Sequence, residues 1–176
     1  QREGKPNEDA WLRTAGTFGS LLVVCDGLGS NPHARHGSRT ACLAVREAVL
    51  RWSRIADAPL GYLAHLVEVL WRLRLHPVEP ASAMTTCLLA IAIRNGIWVL
   101  GGIGDGLVLL RTGTEVSKII GARGAGFSNE TTGLGASRSA RSWELVRLPP
   151  TEEDRLAVLA TDGVADDLLP ERLPDL

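Results

Sequence analysis

Residues 86–100 read TCLLAIAIRNGIWVL and predict a β-hairpin. Two apolar runs, Thr86 to Ile93 and Ile97 to Leu100, flank the polar sequence Arg94-Asn95-Gly96. Short runs rich in Val, Ile and Leu are typical of buried strands. An Asn-Gly pair favours positive φ at both central positions of a hairpin turn. We therefore expect two antiparallel strands here, and an antiparallel sheet built around them.

Other strands and two helices are predicted on either side of this hairpin. The further apolar runs that predict strands are Leu21 to Cys25, Leu107 to Leu110 and Leu156 to Ala160. Between the first run and the hairpin, apolar residues repeat at helical spacing in two stretches. The first stripe comprises Ala41, Val45, Ala48, Trp52 and Ile55, and the second comprises Leu60, Leu63, Val67 and Leu70. The junctions Ala58-Pro59 and His76-Pro77 separate and end the two helices.

The order of these elements favours an α+β fold, in which antiparallel sheets are covered by helices, over a βαβ nucleotide fold. Gly121 to Arg141 is rich in Gly, Ser and Ala and has no period, so it predicts a mobile surface loop. A length of 176 residues fits a single domain, residues 1–176. Because Gln1 begins the sequence without a methionine, we interpret it as a cut end.

Composition excludes several classes of protein. Apolar residues make up 45% and charged residues 22%, as in an ordinary globular protein. A net charge of -1 gives no global field to attract nucleic acid. No run of about 20 continuous apolar residues predicts a membrane span. Three cysteines without a C-x-x-C pair indicate neither a disulfide framework nor a zinc site, so a reducing, cytoplasmic setting is expected.

Four acidic motifs suggest a site for cations. They are Asn7-Glu8-Asp9, Asp26-Gly27-Leu28-Gly29, Gly104-Asp105-Gly106 and Thr161-Asp162-Gly163-Val164-Ala165-Asp166. A single Asp-Gly pair is usually only a turn. Here, however, three of the motifs follow predicted buried strands, where their carboxylates can meet at the edge of an apolar core. Carboxylates clustered there need a counter-charge such as a hard divalent cation.

In this order, the motifs resemble the type 2C metal-dependent Ser/Thr protein phosphatases, in particular their bacterial members. The resemblance extends over nearly the whole chain and includes Thr85-Thr86, which are similar to the paired threonines that precede a strand in that family. It implies an α-β-β-α sandwich, in which two antiparallel sheets are flanked by helices. It also implies signalling by metal-dependent hydrolysis of phosphoserine or phosphothreonine on proteins, with a metal-activated water as nucleophile.

The resemblance also implies a set of site residues. Two ions, Mg²⁺ or Mn²⁺, would be held by Asp26, which bridges them, and by the carbonyl of Gly27, Asp9 with Glu8 beside it, and Asp162. Asp26 and Asp162 would be the catalytic aspartates. A third, looser ion would lie between Asp105 and Asp166. The implied partner is a phosphorylated protein, with a Ser/Thr kinase as one candidate. We expect a monomer that binds neither nucleic acid nor membrane.

Three departures from the family pattern are visible. The final metal aspartate has no match before Leu176, so we expect a fold that is incomplete at its C-terminus and a second ion that binds weakly. An arginine that binds phosphate in many members is replaced by Gly4, which leaves Arg2 and Lys5 as candidates. Leu28 stands where animal enzymes carry a histidine, so the leaving group would take its proton from solvent.

Two alternatives to the phosphatase hypothesis stay open. The chain could be a regulatory or binding module that kept the fold and is weakly active or inactive, or a stress-type switch phosphatase that acts on a regulatory partner. His33 and His36 lie in a polar stretch without partners at zinc spacing, which favours solvated residues over metal ligands. Trp52, Trp71 and Trp98 are expected in the core, because no basic stripe accompanies them as in a nucleic-acid platform.

Overall fold

Two stacked antiparallel sheets form the centre of the protein. The computed structural model describes residues 7–120, 133–136 and 139–165. The five-stranded sheet has the order β1-β2-β3-β4-β7 and comprises Ala10–Gly16 (β1), Gly19–Cys25 (β2), Cys87–Ile93 (β3), Trp98–Ile103 (β4) and Glu144–Leu148 (β7). The three-stranded sheet has the order β6-β5-β8 and comprises Leu107–Thr112 (β5), Glu115–Ile120 (β6) and Arg155–Ala160 (β8).

Two long helices cover the outer face of the five-stranded sheet. They are Ala34–Trp52 (α1) and Leu60–Leu75 (α2), and a short helix, Asp162–Ala165 (α3), follows β8. The main core lies between α1, α2 and the sheet, where Val23, Leu89 and Val45 are fully buried. No described helix is long and apolar enough to cross a membrane.

The central strand β3 is apolar on both faces because it lies between two packed layers. Leu89 and Ile91 face the helices, whereas Leu88 and Ala90 pack with residues of the second sheet, among them Val108. Successive side chains of a strand point to opposite faces, so a strand buried on both sides reads as a continuous apolar run. This position explains the pattern that predicted the hairpin.

The structure confirms the α+β class, with antiparallel sheets and covering helices. The predicted strands correspond to β2, β3, β4, β5 and β8, and the predicted helices to α1 and α2. α1 ends at Trp52, however, and Ile55 lies beyond it with half of its side chain exposed. Among the described residues, a layer of long helices covers one outer face of the sandwich.

The turn of the hairpin differs from the expected one. The strands β3 and β4 do pair in antiparallel fashion, but only Gly96 has a positive φ, of 82°, and Asn95 does not. The N–H of Gly96 donates to the carbonyl of Ile93, and the N–H of Ile93 donates to the carbonyl of Ile97. This is a three-residue loop, in which an ordinary turn is followed by a left-handed glycine. Gly96 alone therefore adopts the positive φ that was predicted for both Asn95 and Gly96.

The loop predicted for Gly121 to Arg141 is only partly described. Residues 121–132, 137 and 138 lie outside the described residues. Leu134 is fully buried and pairs with Thr85, so this portion lies in the interior, contrary to the prediction of a surface loop. The three cysteines are free and buried, with the Sγ atoms of Cys25 and Cys42 3.8 Å apart.

Candidate functional site

Three strand ends bring acidic motifs to one end of the sandwich. Asp26 follows β2 and Asp162 follows β8. Cys87, the first residue of β3, is paired with Ile103, the last residue of β4, so the Gly104-Asp105-Gly106 loop begins at that end as well. Gly104 and Gly106 have positive φ angles, which glycine adopts without steric cost, and these angles let the loop turn tightly. Rigid strands therefore fix the starting point of three separate carboxylates.

The carboxyl of Asp26 is the most perturbed acid of this end. Its pKa is raised to about 8, first by burial and then by the nearby carboxyls of Asp9 and Asp162, which act through repulsion and through hydrogen bonding to Asp26. Like charges this close disfavour ionisation of all members at once. Asp9, Asp26 and Asp162 thus lie together, although they are far apart in the sequence. Without a cation, Asp26 carries a proton at neutral pH.

The backbone of Asp26 is fixed by the paired threonines that precede β3. The N–H of Asp26 donates to Oγ1 of Thr86 at 3.0 Å, and the carbonyl of Asp26 accepts from the N–H of Thr86 at 2.8 Å. Oγ1 of Thr85 also donates to that carbonyl, at 2.8 Å. Both threonines are buried. Three hydrogen bonds therefore set the position from which the Asp26 side chain projects.

Gly27 lies in a space that admits no side chain. A Cβ at this position would stand 2.7 Å from the carbonyl carbon and oxygen of Ala34, the first residue of α1. The N–H of Gly27 donates to the carbonyl of Glu8 at 3.3 Å, and Gly27 also bridges to Thr85. The segment that carries Asp26 is thus held between the residues that precede β1, the residues that precede β3, and α1.

Glu8 reaches the same loop from the other side. Its Oε2 lies 3.0 Å from the position that a Cβ of Gly29 would occupy. Its carbonyl accepts from Oγ of Ser38, on α1, at 2.5 Å. The Glu8 carboxylate is not among the groups that perturb the pKa of Asp26, so it contributes to this end of the sandwich without joining the cluster of three.

Of the other predicted site residues, some are described by the structure and some lie outside the described residues. Asp105 is half-buried in the loop between β4 and β5, and Asp162 begins α3, where its Oδ1 accepts from the N–H of Gly163 at 2.7 Å. Asp166, Arg2 and Lys5 lie outside the described residues. The third-ion site and the phosphate contacts predicted for them therefore stay predictions.

Sequence reasoning missed one contributor and did not assign a role to others. Ser38 was not singled out, because a serine inside a helical pattern carries no local signal of a contact 30 residues away. Thr85 and Thr86 were noted only for their resemblance, and their hydrogen bonds to Asp26 become visible in the fold. Long-range contacts of this kind depend on strand pairing rather than on local pattern.

The donors at this end fit a hard divalent cation. Within residues 7–120, 133–136 and 139–165, no group of three or more His, Cys, Asp or Glu side chains is arranged as a metal-binding cluster. The carboxyls of Asp9, Asp26 and Asp162 are nevertheless all oxygen donors, and they repel one another without a counter-charge. Mg²⁺ and Mn²⁺ take such oxygen ligands. The residues present are therefore suited to such ions.

Comparison with protein families identifies the class of this chain. The sequence profile of Protein phosphatase 2C matches residues 1–175. The chain belongs to this family, which confirms the resemblance drawn from the acidic motifs. A comparison with curated proteins finds no significant match.

Solved structures of low sequence identity share this fold. A bacterial serine phosphatase superposes with a TM-score of 0.73 at 18% identity, over 99% of this chain and 79% of that one. PppA, described as a key regulatory component of T6SS in Pseudomonas aeruginosa, gives 0.70 at 20% identity, over 97% and 77%. The catalytic domain of the serine threonine protein phosphatase PstP, in complex with 2 manganese ions, gives 0.62 at 19% identity, over 97% and 77%.

Proposed function

We propose that this protein hydrolyses phosphoserine and phosphothreonine esters on proteins with the help of Mg²⁺ or Mn²⁺. Membership of the protein phosphatase 2C family supports phosphatase activity in general. The observation that carries the finer proposal is the carboxyl of Asp26, held between the carboxyls of Asp9 and Asp162 with its pKa raised to about 8. Acids perturbed in this way by burial and by specific neighbours are characteristic of functional sites.

Asp26, Asp162, Asp9 and the carbonyl of Gly27 would hold two ions, with Glu8 beside them. When bound, the ions would supply an activated water and would neutralise charge on the phosphoryl oxygens. The chain itself positions Asp26 through the hydrogen bonds of Thr85 and Thr86. Asp26 must also lose its proton before it can act as a ligand.

Further proposed roles concern the outer parts of the site. Asp105 and Asp166 would hold a third ion, and Arg2 and Lys5 would contact the phosphate. Leu28 is half-buried and its N–H donates to the carbonyl of Met84, so it offers no proton to a leaving group. The alkoxide of the product would therefore take its proton from solvent.

The partner in this proposal is a phosphorylated protein. PppA, which shares the fold, is described as a regulatory component, and this supports a substrate in signalling. A Ser/Thr kinase is one candidate. We also propose a monomer in the cytoplasm; the three free, buried cysteines fit a reducing compartment.

Hydrolysis assays on aspartate variants test the proposal. Asp26→Asn and Asp162→Asn should each lower Mn²⁺-dependent hydrolysis of p-nitrophenyl phosphate and of a phosphothreonine peptide by at least about 10–100-fold, because loss of an outer-shell partner alone already costs that much. Asp57→Asn is the matched control, since Asp57 is exposed and its φ of 54° suits asparagine. Circular dichroism verifies that all three variants fold.

The same assay separates the alternatives. Unchanged turnover in Asp26→Asn would refute the site. Absence of hydrolysis in the unmodified protein, together with phosphopeptide binding that depends on Asp26, would favour the catalytically inactive binding module instead.

A further inference from the structure

A cavity of about 320 Å³ lies between the two sheets, far from the acidic cluster. Strands β1, β2, β3 and β4 line it on one side, and β8 lines it on the other. Ser20, at the start of β2, is one of the lining residues, whereas Asp26 follows the end of that strand. β2 has 7 residues and a strand rises about 3.3 Å per residue, so about 20 Å separates the two. The inter-sheet cavity, as we call it, is therefore not part of the acidic site.

Small side chains in the five-stranded sheet leave room for this cavity. Ser20 is paired with Ala92, and Ala92 with Trp98, so these residues form one row across three strands. In the neighbouring row, Leu22 is paired with Ala90, which packs toward the second sheet. Directly opposite residues share a face, as do alternate residues of one strand, so both rows face the second sheet. Serine and alanine fill little of the space between the layers, which larger side chains would close.

Arg155 lines the inter-sheet cavity with donors that have no partner. It begins β8, and Ala157, the next residue on the same side of the strand, packs between the sheets. Arg155 therefore also points between the sheets. Its Nε and Nη1 atoms are buried, and no described residue accepts a hydrogen bond from either. Because arginine keeps its charge in proteins, such buried donors favour an anionic acceptor.

The inter-sheet cavity combines positive charge with apolar walls. Arg13 of β1 also lines it and is paired with Leu22, so it lies on the same face of the sheet. Neither Arg13 nor Arg155 forms an ion pair with a described residue, and no described aspartate or glutamate lines the cavity. Leu22, Ala90 and Trp98 supply apolar surface. A ligand that matches these walls needs both an anionic group and an apolar part.

We propose that the inter-sheet cavity binds a small organic anion, an apolar body that ends in a carboxylate, and that Arg155 pairs with the carboxylate. A guanidinium matches a carboxylate in charge and geometry, and charge-assisted hydrogen bonds are the strong ones. Sites for small molecules have volumes of about 300–1,000 Å³ and mostly apolar walls with a few polar groups. The volume here is at the lower end of that range, which favours a small ligand. This proposal is independent of the phosphatase reaction.

Two other occupants fit the cavity less well. An inorganic anion would satisfy the arginines but would leave the walls of Leu22, Ala90 and Trp98 in contact with water. A further strand could pair with β8, which lies at the edge of its sheet among the described strands. The lining residues, however, extend from β1 to β4, so one strand beside β8 would cover only part of the cavity. A compact ligand with a charge and an apolar body fits all of it.

Titration calorimetry on the full chain tests this assignment. The probes are 4-phenylbutyrate and octanoate, and their neutral amides are the matched controls. EDTA is present throughout, so that no cation in the acidic cluster binds the carboxylates. At least one acid should bind at a single site, and its amide should bind about tenfold or more less tightly, because it lacks the charge that pairs with Arg155. Added salt should weaken binding of the acid, since salt screens charge pairs.

Matched variants locate the binding site. Arg155→Met keeps an apolar stem and removes the guanidinium, so the acid should bind about tenfold or more less tightly. Arg111→Met is the control and should bind normally. Arg111 is exposed on β5 and paired with Leu156, which points to the opposite face from Arg155. Ala92→Leu should also prevent binding, because the larger side chain fills the cavity while Arg155 stays in place.

The stability of Arg155→Met without ligand gives a second readout. Two donors of Arg155 are buried without a described partner, so their removal should leave the Tm unchanged or raise it. The acid should raise the Tm of the unmodified protein and of Arg111→Met, but not that of Arg155→Met. A marked fall in the Tm of ligand-free Arg155→Met would show that the guanidinium already has a partner in the chain, and would overturn the proposal.

Other results would also overturn it. Absence of saturable binding by both acids would exclude the ligand class. Equal affinity for acids and amides would show an apolar cavity without an anion site, and inorganic phosphate binding as tightly as the acids would show an anion site that does not use the apolar walls. If a short strand-forming peptide with a central glutamate binds through Arg155 while the free acids do not, Arg155 receives an acidic side chain of a strand beside β8 instead.

Discussion

At the scale of single residues, the site depends on hydrogen bonds that hold the backbone of Asp26. Thr86→Val removes the Oγ1 that accepts from the Asp26 N–H and puts an apolar group of the same shape in its place. A buried N–H without a partner costs about 1–3 kcal/mol, so the free energy of unfolding should fall by that amount. Denaturation by urea measures the loss.

The control for this variant is Thr14→Val, on the edge strand β1, where a β-branched apolar residue suits the sheet. Thr14 is half-buried and lies midway along its strand. A similar loss of stability in both variants would mean that the hydrogen bond from the Asp26 N–H does not contribute measurably to the free energy of unfolding. If Thr86→Val also binds Mn²⁺ less tightly while Thr14→Val does not, the threonine positions the carboxylate as inferred.

At the scale of secondary-structure elements, α1 and the loop after β2 are fitted to each other at Gly27. In Gly27→Ala the new Cβ would lie 2.7 Å from the carbonyl of Ala34, so α1 or the loop must shift. We expect a loss of about 1–3 kcal/mol in the free energy of unfolding, as is usual for overpacking. Because the loop carries Asp26, phosphatase activity should fall as well.

Gly61→Ala is the matched substitution in α2. Nothing lies within 4 Å of its added Cβ, and alanine is a better helix former than glycine. This variant should gain about 0.5–1 kcal/mol and keep its activity. Thermal unfolding and a hydrolysis assay on both variants decide the matter, and a stable, active Gly27→Ala would show that α1 is not fitted to the loop.

The elements also show what could be predicted from the sequence and what could not. The strands found by pattern include all the inner ones, β2, β3, β4 and β5, whose apolar runs reflect burial on both faces. The missed strands β1, β6 and β7 are edge strands with polar or exposed residues in alternation, such as Arg13 in β1 and Lys118 in β6. Edge strands commonly carry charge, so their apolar signal is weak.

The candidate site, too, could be predicted from the sequence only in part. The Asp-Gly motifs could be found because strand ends, turn residues and repetition all occur in the local sequence. The proximity of Asp9, Asp26 and Asp162 depends on how distant strands pair, and the contact of Ser38 with Glu8 depends on where α1 packs. Local pattern indicates which residues are candidates, and only the fold shows which of them meet.

At the scale of the whole molecule, the charge cluster links stability to pH and to cations. The pKa of Asp26 is about 8 in the folded protein against an ordinary value of 3.8. The folded state therefore binds more protons than the unfolded state between these two values, and its stability falls as pH rises through that window. In EDTA, the free energy of unfolding should decline from about pH 4 to about pH 8, with the Asp26 contribution fully present only below the window.

Asp26→Asn removes this titration and should flatten the decline, whereas Asp57→Asn, at an exposed loop position, should keep it.

Mn²⁺ should act in the opposite direction, because an ion that binds only the folded state stabilises it and must displace the Asp26 proton to do so. The rise in Tm at a fixed Mn²⁺ concentration should therefore be larger at pH 8 than at pH 6, and smaller at both in Asp26→Asn. Urea denaturation and thermal scans across this range measure both effects. Equal slopes in EDTA for the unmodified protein and Asp26→Asn would show that the pH dependence arises elsewhere, and a Mn²⁺ shift independent of pH would show that the ion does not compete with this proton.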